Sequence, residues 1–145
     1  MHIDHLHSLT SSRLRVIGAN ATVQATALAL TEPNIGLVVL CHDSGEAAGV
    51  LSKSDLVRHL GLSGSAGATA ATLMTRRVVS CRPDDDVHAI WQAMTAQSLQ
   101  SMPALSADSR PLGILDIRDA MNALLEQEEF EEQLLANYIA GIGYR

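Results

Sequence analysis

The sequence predicts a mixed α/β (α+β) fold of two similar halves with pseudo-twofold symmetry, and three observations predict it. Sliding the 145-residue chain by 64 positions pairs Val23 with Val87, Ala25 with Ala89, Ala29 with Ala93, Thr31 with Thr95, Gly49 with Gly113, Leu51 with Leu115 and Asp55 with Asp119. Leu30 with Met94 and Val50 with Ile114 extend the match through similar residues. Both halves also give the same order of local patterns: helix, strand, turn, strand, helix. Finally, half of so short a chain cannot cover its own sheet, so the two halves must share a core.

In the first half, residues 22–31 are rich in Ala and Leu and read as a helix that Pro33-Asn34 breaks. Residues 35–41 form an apolar run of strand length. His42-Asp43-Ser44-Gly45 supplies a turn and 48–51 a second strand; Ser52 caps a helix over 53–60, with Gly61 as its stop. In the second half, Asp84, Asp85 and Asp86 place negative charge at the start of a helix running to 96. A strand over 102–106, a turn over 107–110 and a strand over 112–115 follow, and Asp116 caps a long last helix reaching Ala136 or beyond. The register slips by one residue across the first strand of this pair and recovers at the turn.

Between the halves, residues 61–67 have linker composition, 68–74 suit a short helix, and Val78-Val79-Ser80 a short strand. The expected organisation is a leading segment over 1–15, a repeat over 16–60, a linker over 61–72, a second repeat over 73–124, and a helical extension and tail over 125–145.

Composition narrows the function. Hydrophobic residues make up 47% and aromatics 3%, so aliphatic side chains must build the core. A net charge of −6 disfavours a phosphate backbone, and nucleic acid is not expected as a partner. No apolar run approaches the ~20 residues that span a bilayer, so no membrane is expected either. The first ten residues, with three histidines and an aspartate, do not read as a secretory signal. Cys41 and Cys81 fit no short metal motif and read as buried reduced thiols of a cytoplasmic protein.

The signature that recurs is glycine, a hydrophobic strand end, a capping residue, two residues, then aspartate. It stands as Gly49-Val50-Leu51-Ser52-Lys53-Ser54-Asp55 and again as Gly113-Ile114-Leu115-Asp116-Ile117-Arg118-Asp119. Leu73-Met74-Thr75 before Val78-Val79-Ser80 and Pro83 leads into the second copy, and Ser101-Met102-Pro103-Ala104 carries a proline after a hydrophobic residue. In these residues the chain resembles a tandem pair of CBS domains, a Bateman module.

The resemblance implies a regulatory, non-catalytic module that senses AMP, ADP, ATP or S-adenosylmethionine and requires no cofactor. It also implies a homodimer that passes a conformational change to a regulated protein. Physically, a serine at a helix start leaves its hydroxyl and nearby N–H groups for a phosphate, with the helix dipole adding positive charge. An aspartate three residues on shares that face and can accept both ribose hydroxyls. The resemblance places one cleft at Ser52, Lys53 and Asp55 with Val78, Val79, Ser80, Ser101, Met102 and Pro103. A second, weaker cleft has Asp116, Arg118 and Asp119 with Val16, Ile17, Gly18 and Leu37. Asp116 departs from the Ser or Thr of the pattern, and its carboxylate would repel a phosphate. Arg76 and Arg77 either supply phosphate charge or are solvated surface residues.

Three other readings compete. A ligand-free dimerisation or interaction scaffold is the alternative function. His2, His5 and His7 with Asp4 could hold a divalent metal, but their spacing matches no zinc motif. Cys41 and His42 make a poor dyad, because neighbours in a strand point to opposite faces. The last helix carries a broken apolar stripe of Met121, Leu124, Leu125, Leu134, Leu135, Tyr138 and Ile139 beside Glu126, Glu128, Glu129, Glu131 and Glu132. That stripe packs on its own domain or on a second copy. No role is evident for Gly141-Ile142-Gly143-Tyr144-Arg145.

Overall fold

The computed structural model describes residues 1–143, with the surroundings of side chains described for 1–140. A 3-10 turn at Ile3–Leu6 leads into α1 (His7–Ser12), followed by β1 (Val16–Gly18), α2 (Val23–Leu30), β2 (Leu37–Cys41), β3 (Ala47–Ser52) and α3 (Lys53–Gly61). A 3-10 turn at Ala70–Thr72 opens the second half, followed by α4 (Val87–Ala96), β4 (Ser101–Leu105), β5 (Pro111–Asp116) and α5 (Ile117–Gly143). The first sheet runs β1-β2-β3, with β1 parallel to β2; the second is the β4-β5 hairpin.

The duplication is geometrical as well as sequential. Leu37 pairs with Ser52 and Ser101 with Asp116; Leu40 pairs with Gly49 and Ala104 with Gly113. Each hairpin then bulges at the same place, between Leu40 and Cys41 and between Ala104 and Leu105. The offset of 64 is therefore constant through both strand pairs, and the expected one-residue slip does not occur. Gly45 (φ 92) and Ser109 (φ 63) occupy equivalent turn positions in the left-handed region. The turns meet, with Ala47 N–H donating to the Ser109 carbonyl at 2.9 Å.

Alternation along β2 explains why all five of its residues are buried. Val38 and Leu40 face their own helices, in a core with Val23, Leu30, Leu51 and Leu56. Leu37, Val39 and Cys41 face the other repeat, where they meet Ile114 of β5. On β4, Met102 and Ala104 join Val87, Met94, Leu115 and Ala120.

The leading segments are exchanged between halves. Ile3 and Leu6 are buried in the core of the second repeat, and Ala70 and Met74 in that of the first. Backbone bonds tie Ile3 and Asp4 to Asp85 and Pro83, while Val23 and Ala70 bond Ala68 and Ala21. The two repeated glycines are the seats for this exchange. A Cβ on Gly113 would lie 2.7 Å from backbone and side-chain atoms of Thr10, and one on Gly49 would lie 2.7 Å from Met74 Sδ and 2.8 Å from the Thr75 carbonyl.

Several local expectations are corrected. Val78-Val79-Ser80 is not a strand; only Cys81 bridges to Ala104. The cause is Pro103. In the first repeat Val39 N–H donates to the Arg15 carbonyl at 3.0 Å; Pro103, at the matching position, has no N–H to give Val79. The helix over 68–74 shrinks to the 3-10 turn. Gly61 is the last residue of α3, and the left-handed residue that follows is Ser63 (φ 62). The final helix, by contrast, passes Ala136 as expected and reaches Gly143; Tyr144 and Arg145 lie outside the described residues. Burial pushes up the thiol of Cys41, and that of Cys81 to about 12, where Asp85 adds to the effect. No helix of the described residues is long and apolar enough to cross a membrane.

Candidate functional site

Where the repeats face each other they leave a crevice of about 850 Å³. The starts of α3 and α5 border it, as do the loops before β2 and β4 and the released segment through Val79. The two clefts expected from the sequence are thus two ends of one space.

At the first end, Ser52 caps α3 and closes a capping box with Asp55. Asp55 Oδ2 accepts from Ser52 N at 2.9 Å and from Ser52 Oγ at 3.0 Å. Asp55 N–H donates to Ser52 Oγ at 3.3 Å. The serine hydroxyl is therefore turned to its own aspartate, not left free for a phosphate. Asp55 Oδ1 meets only the outer reach of Arg58, at 3.5 Å. The N–H groups of Lys53 and Ser54 belong to the first helical turn, which has no intrahelical acceptors. Both residues, with Arg77, line the crevice.

The second end is built differently. Asp116 Oδ1 accepts from Arg118 N at 2.8 Å, and Arg118 Nε and Nη2 bond its two oxygens at 3.0 Å each. Arg13 Nη1 stands 3.9 Å from Asp116 Oδ2. Burial alone would raise this carboxyl, but Arg118 and Arg13 hold it below the ordinary carboxylate range. Asp116 thus has its charge answered by the protein, which weakens the expected repulsion of a phosphate. Asp119 is held by Arg13, with Nε to Oδ2 at 2.6 Å and Nη2 to Oδ1 at 3.2 Å.

A folded-state pKa below the unfolded value makes Asp116 stabilising above about pH 4, and that contribution disappears as pH falls through the folded value. Asp116→Asn is therefore expected to be less stable than wild type by ~1 kcal/mol at pH 7, a modest figure because solvent surrounds Arg118. Urea unfolding should show the gap closing as pH falls below about 4; a gap independent of pH would remove the carboxylate from the explanation.

Of the residues expected at the first end, Ser52, Lys53, Asp55, Val79, Ser101 and Pro103 line the crevice. Val78, Ser80 and Met102 do not; Met102 alternates inward and is 2% exposed. At the second end Leu37, Asp116 and Arg118 line it, whereas Asp119 does not and is paired with Arg13. Val16, Ile17 and Gly18 are also outside, hydrogen-bonded along β2 as the edge of the first sheet. Sequence reasoning missed Asn34 and Ser98, which border the crevice at matching positions with φ 67 and 56. It also missed that the same 64-residue shift pairs Arg13 with Arg77. Among the described residues, no three potential ligands converge on a metal position.

An exchange of leading segments, two hairpins in one register and a crevice on the pseudo-twofold axis define a tandem-repeat α/β module. The CBS domain family model matches residues 6–62 and again 70–126, and the chain belongs to that family. An uncharacterised 17.7 kDa protein of Acidianus ambivalens is 22% identical over 93% of this chain and 82% of its own. Two solved structures share the fold. One is a CBS domain protein from Pyrobaculum aerophilum complexed with AMP, with TM-score 0.74, 19% identity, and 82% of this chain and 89% of that one covered. The other is the CBS domain pair of protein MJ0100 with 5′-methylthioadenosine and S-adenosyl-L-methionine, with TM-score 0.75, 18% identity, and 88% and 98% covered.

Proposed function

We propose that this chain is a non-catalytic ligand sensor of the cytoplasm, binding an adenine nucleotide or a related adenosyl compound at the Ser52–Asp55 end of the crevice. The observation that carries the reading is that this capped helix start, with its aspartate, borders the space between the repeats. Asp55 Oδ1 accepts from the ribose hydroxyls. The Lys53 and Ser54 N–H groups, Lys53 and Arg77 meet a phosphate or other anionic group. Val79 and Pro103 flank the base. The AMP and adenosyl complexes of the two solved relatives support this ligand class, and AMP, ADP, ATP and S-adenosylmethionine are its members to test.

Sensing requires that the ligand bind two arrangements of the repeats with different affinity. A twofold homodimer transmits that difference to a regulated protein. In support, α2 and α3 leave Leu28, Val57 and Leu60 more than half exposed, as a subunit interface requires. A ligand-free scaffold is favoured by a different observation: both aspartates of the repeated motif already have partners within the protein.

Calorimetric titration of nucleotide-free protein with those four ligands decides between the readings. Binding of at least one is expected, with a gain of about 2.7 kcal/mol in stability at a hundredfold excess over Kd. Failure of all four to bind or to move Tm at millimolar concentration leaves the scaffold.

A further inference from the structure

The geometry points to Arg13 as an internal occupant of the second ribose position, which limits each chain to one adenosyl ligand. This inference rests on the sensor reading above. By the pseudo-symmetry, Asp119 stands where Asp55 stands, yet only Asp55 borders the crevice. The difference is the arginine. Arg13 presents two N–H groups to the two oxygens of Asp119, at 2.6 and 3.2 Å. A vicinal diol would offer two O–H groups to those same oxygens, so the guanidinium imitates it donor for donor. Both partners are ionised, so the arginine adds to its two hydrogen bonds a Coulombic attraction that a neutral diol lacks, and a diol does not displace it unaided.

Two further anchors hold Arg13 there. Its Nη1 donates to the Asn34 carbonyl at 2.9 Å, and Asp116 adds charge at 3.9 Å. Thr10, three residues earlier, is seated on Gly113. The first end lacks this device although it has the matching residue. Arg77 lines the crevice and makes no ion pair among the described residues, and the cation beside Asp55 is Arg58, 70% exposed at 3.5 Å. Two ends of one duplicated design thus differ in whether the arginine has closed on its aspartate.

Counting sites per chain by calorimetry, with AMP, ADP, ATP and S-adenosylmethionine each as titrant, tests this. Wild type is expected to bind one, and Asp119→Asn one with affinity changed less than twofold. Arg13→Gln, which keeps an amide for the Asn34 carbonyl, should bind two, and Arg13→Gln with Asp119→Asn should return to one. Two sites in wild type, a tenfold loss in Asp119→Asn, or a single site in Arg13→Gln each overturns the inference and leaves the sensor reading standing. Should Arg13→Gln not fold, the Asp119→Asn result decides alone. No site in wild type for any of the four overturns the sensor reading; a single Asp119-dependent site in Arg13→Gln would then uphold Arg13 as the occupant, and none would overturn that as well.

Discussion

Gly113→Ala is expected to cost about 2 kcal/mol, within the range for overpacked cores, and to lower Tm by roughly 5–8 °C in a domain of this size. The added Cβ would stand 2.7 Å from the carbonyl carbon, Cβ and Oγ1 of Thr10. α1 cannot back away cheaply, because the segment before it is tied by Ile3 and Asp4 to Asp85 and Pro83. Gly49→Ala is the internal comparison. It meets Met74 Sδ and Cγ at 2.7 and 2.9 Å, the end of a flexible side chain, but also the Thr75 carbonyl at 2.8 Å. That carbonyl accepts from Val50 N–H, so the cost falls without vanishing. Urea unfolding with unchanged m-values should rank wild type above Gly49→Ala above Gly113→Ala. Both variants within 0.5 kcal/mol of wild type would refute the exchanged-segment account of the paired glycines.

Those glycines show why much of the fold was legible. A residue type dictated by close approach recurs wherever the approach recurs, so Gly49 and Gly113 mark the repeat in the sequence itself. Capping is equally local: Thr22, Ser52 and Asp86 each accept from a backbone N–H three residues on. What was not legible acts across space. Pro103 cancels a strand more than twenty residues away by lacking one donor. Ile3 and Leu6, two apolar residues among histidines, reveal nothing of the second repeat's core that they fill. The expected register slip is absent and the pairing is uniform; aliphatic side chains on a buried strand are nearly interchangeable and do not fix register by identity. At the site, the repeated aspartates were visible. Their different fates were not, since Arg13 and Arg77 are identical in sequence and differ only in what they touch.

Asp55 is where ligand binding and helix capping can be separated. Asp55→Ala removes the acceptor of both Ser52 bonds and should destabilise the protein by ~1 kcal/mol through the lost capping box. Asp55→Asn should not. Its amide oxygen can replace Oδ2 and keep accepting from Ser52 N and Oγ, bonds of 2.9 and 3.0 Å in the wild type. The amide nitrogen then stands in place of Oδ1. It can only donate, while a ribose hydroxyl needs an acceptor and has lost a charged one. A charged hydrogen bond contributes about 2 kcal/mol, so AMP affinity should fall by at least ~30-fold in Asp55→Asn while Tm stays near wild type. Asp55→Ala should lose both. If Asp55→Asn binds AMP as wild type does and Asp55→Ala loses only stability, then Asp55 is a helix cap alone and the ribose is held elsewhere. The contrast depends on Oδ1 meeting only an exposed Arg58 at 3.5 Å, whereas Asp119's oxygens are both held by Arg13, so the asparagine substitution that weakens binding at position 55 should be silent at 119.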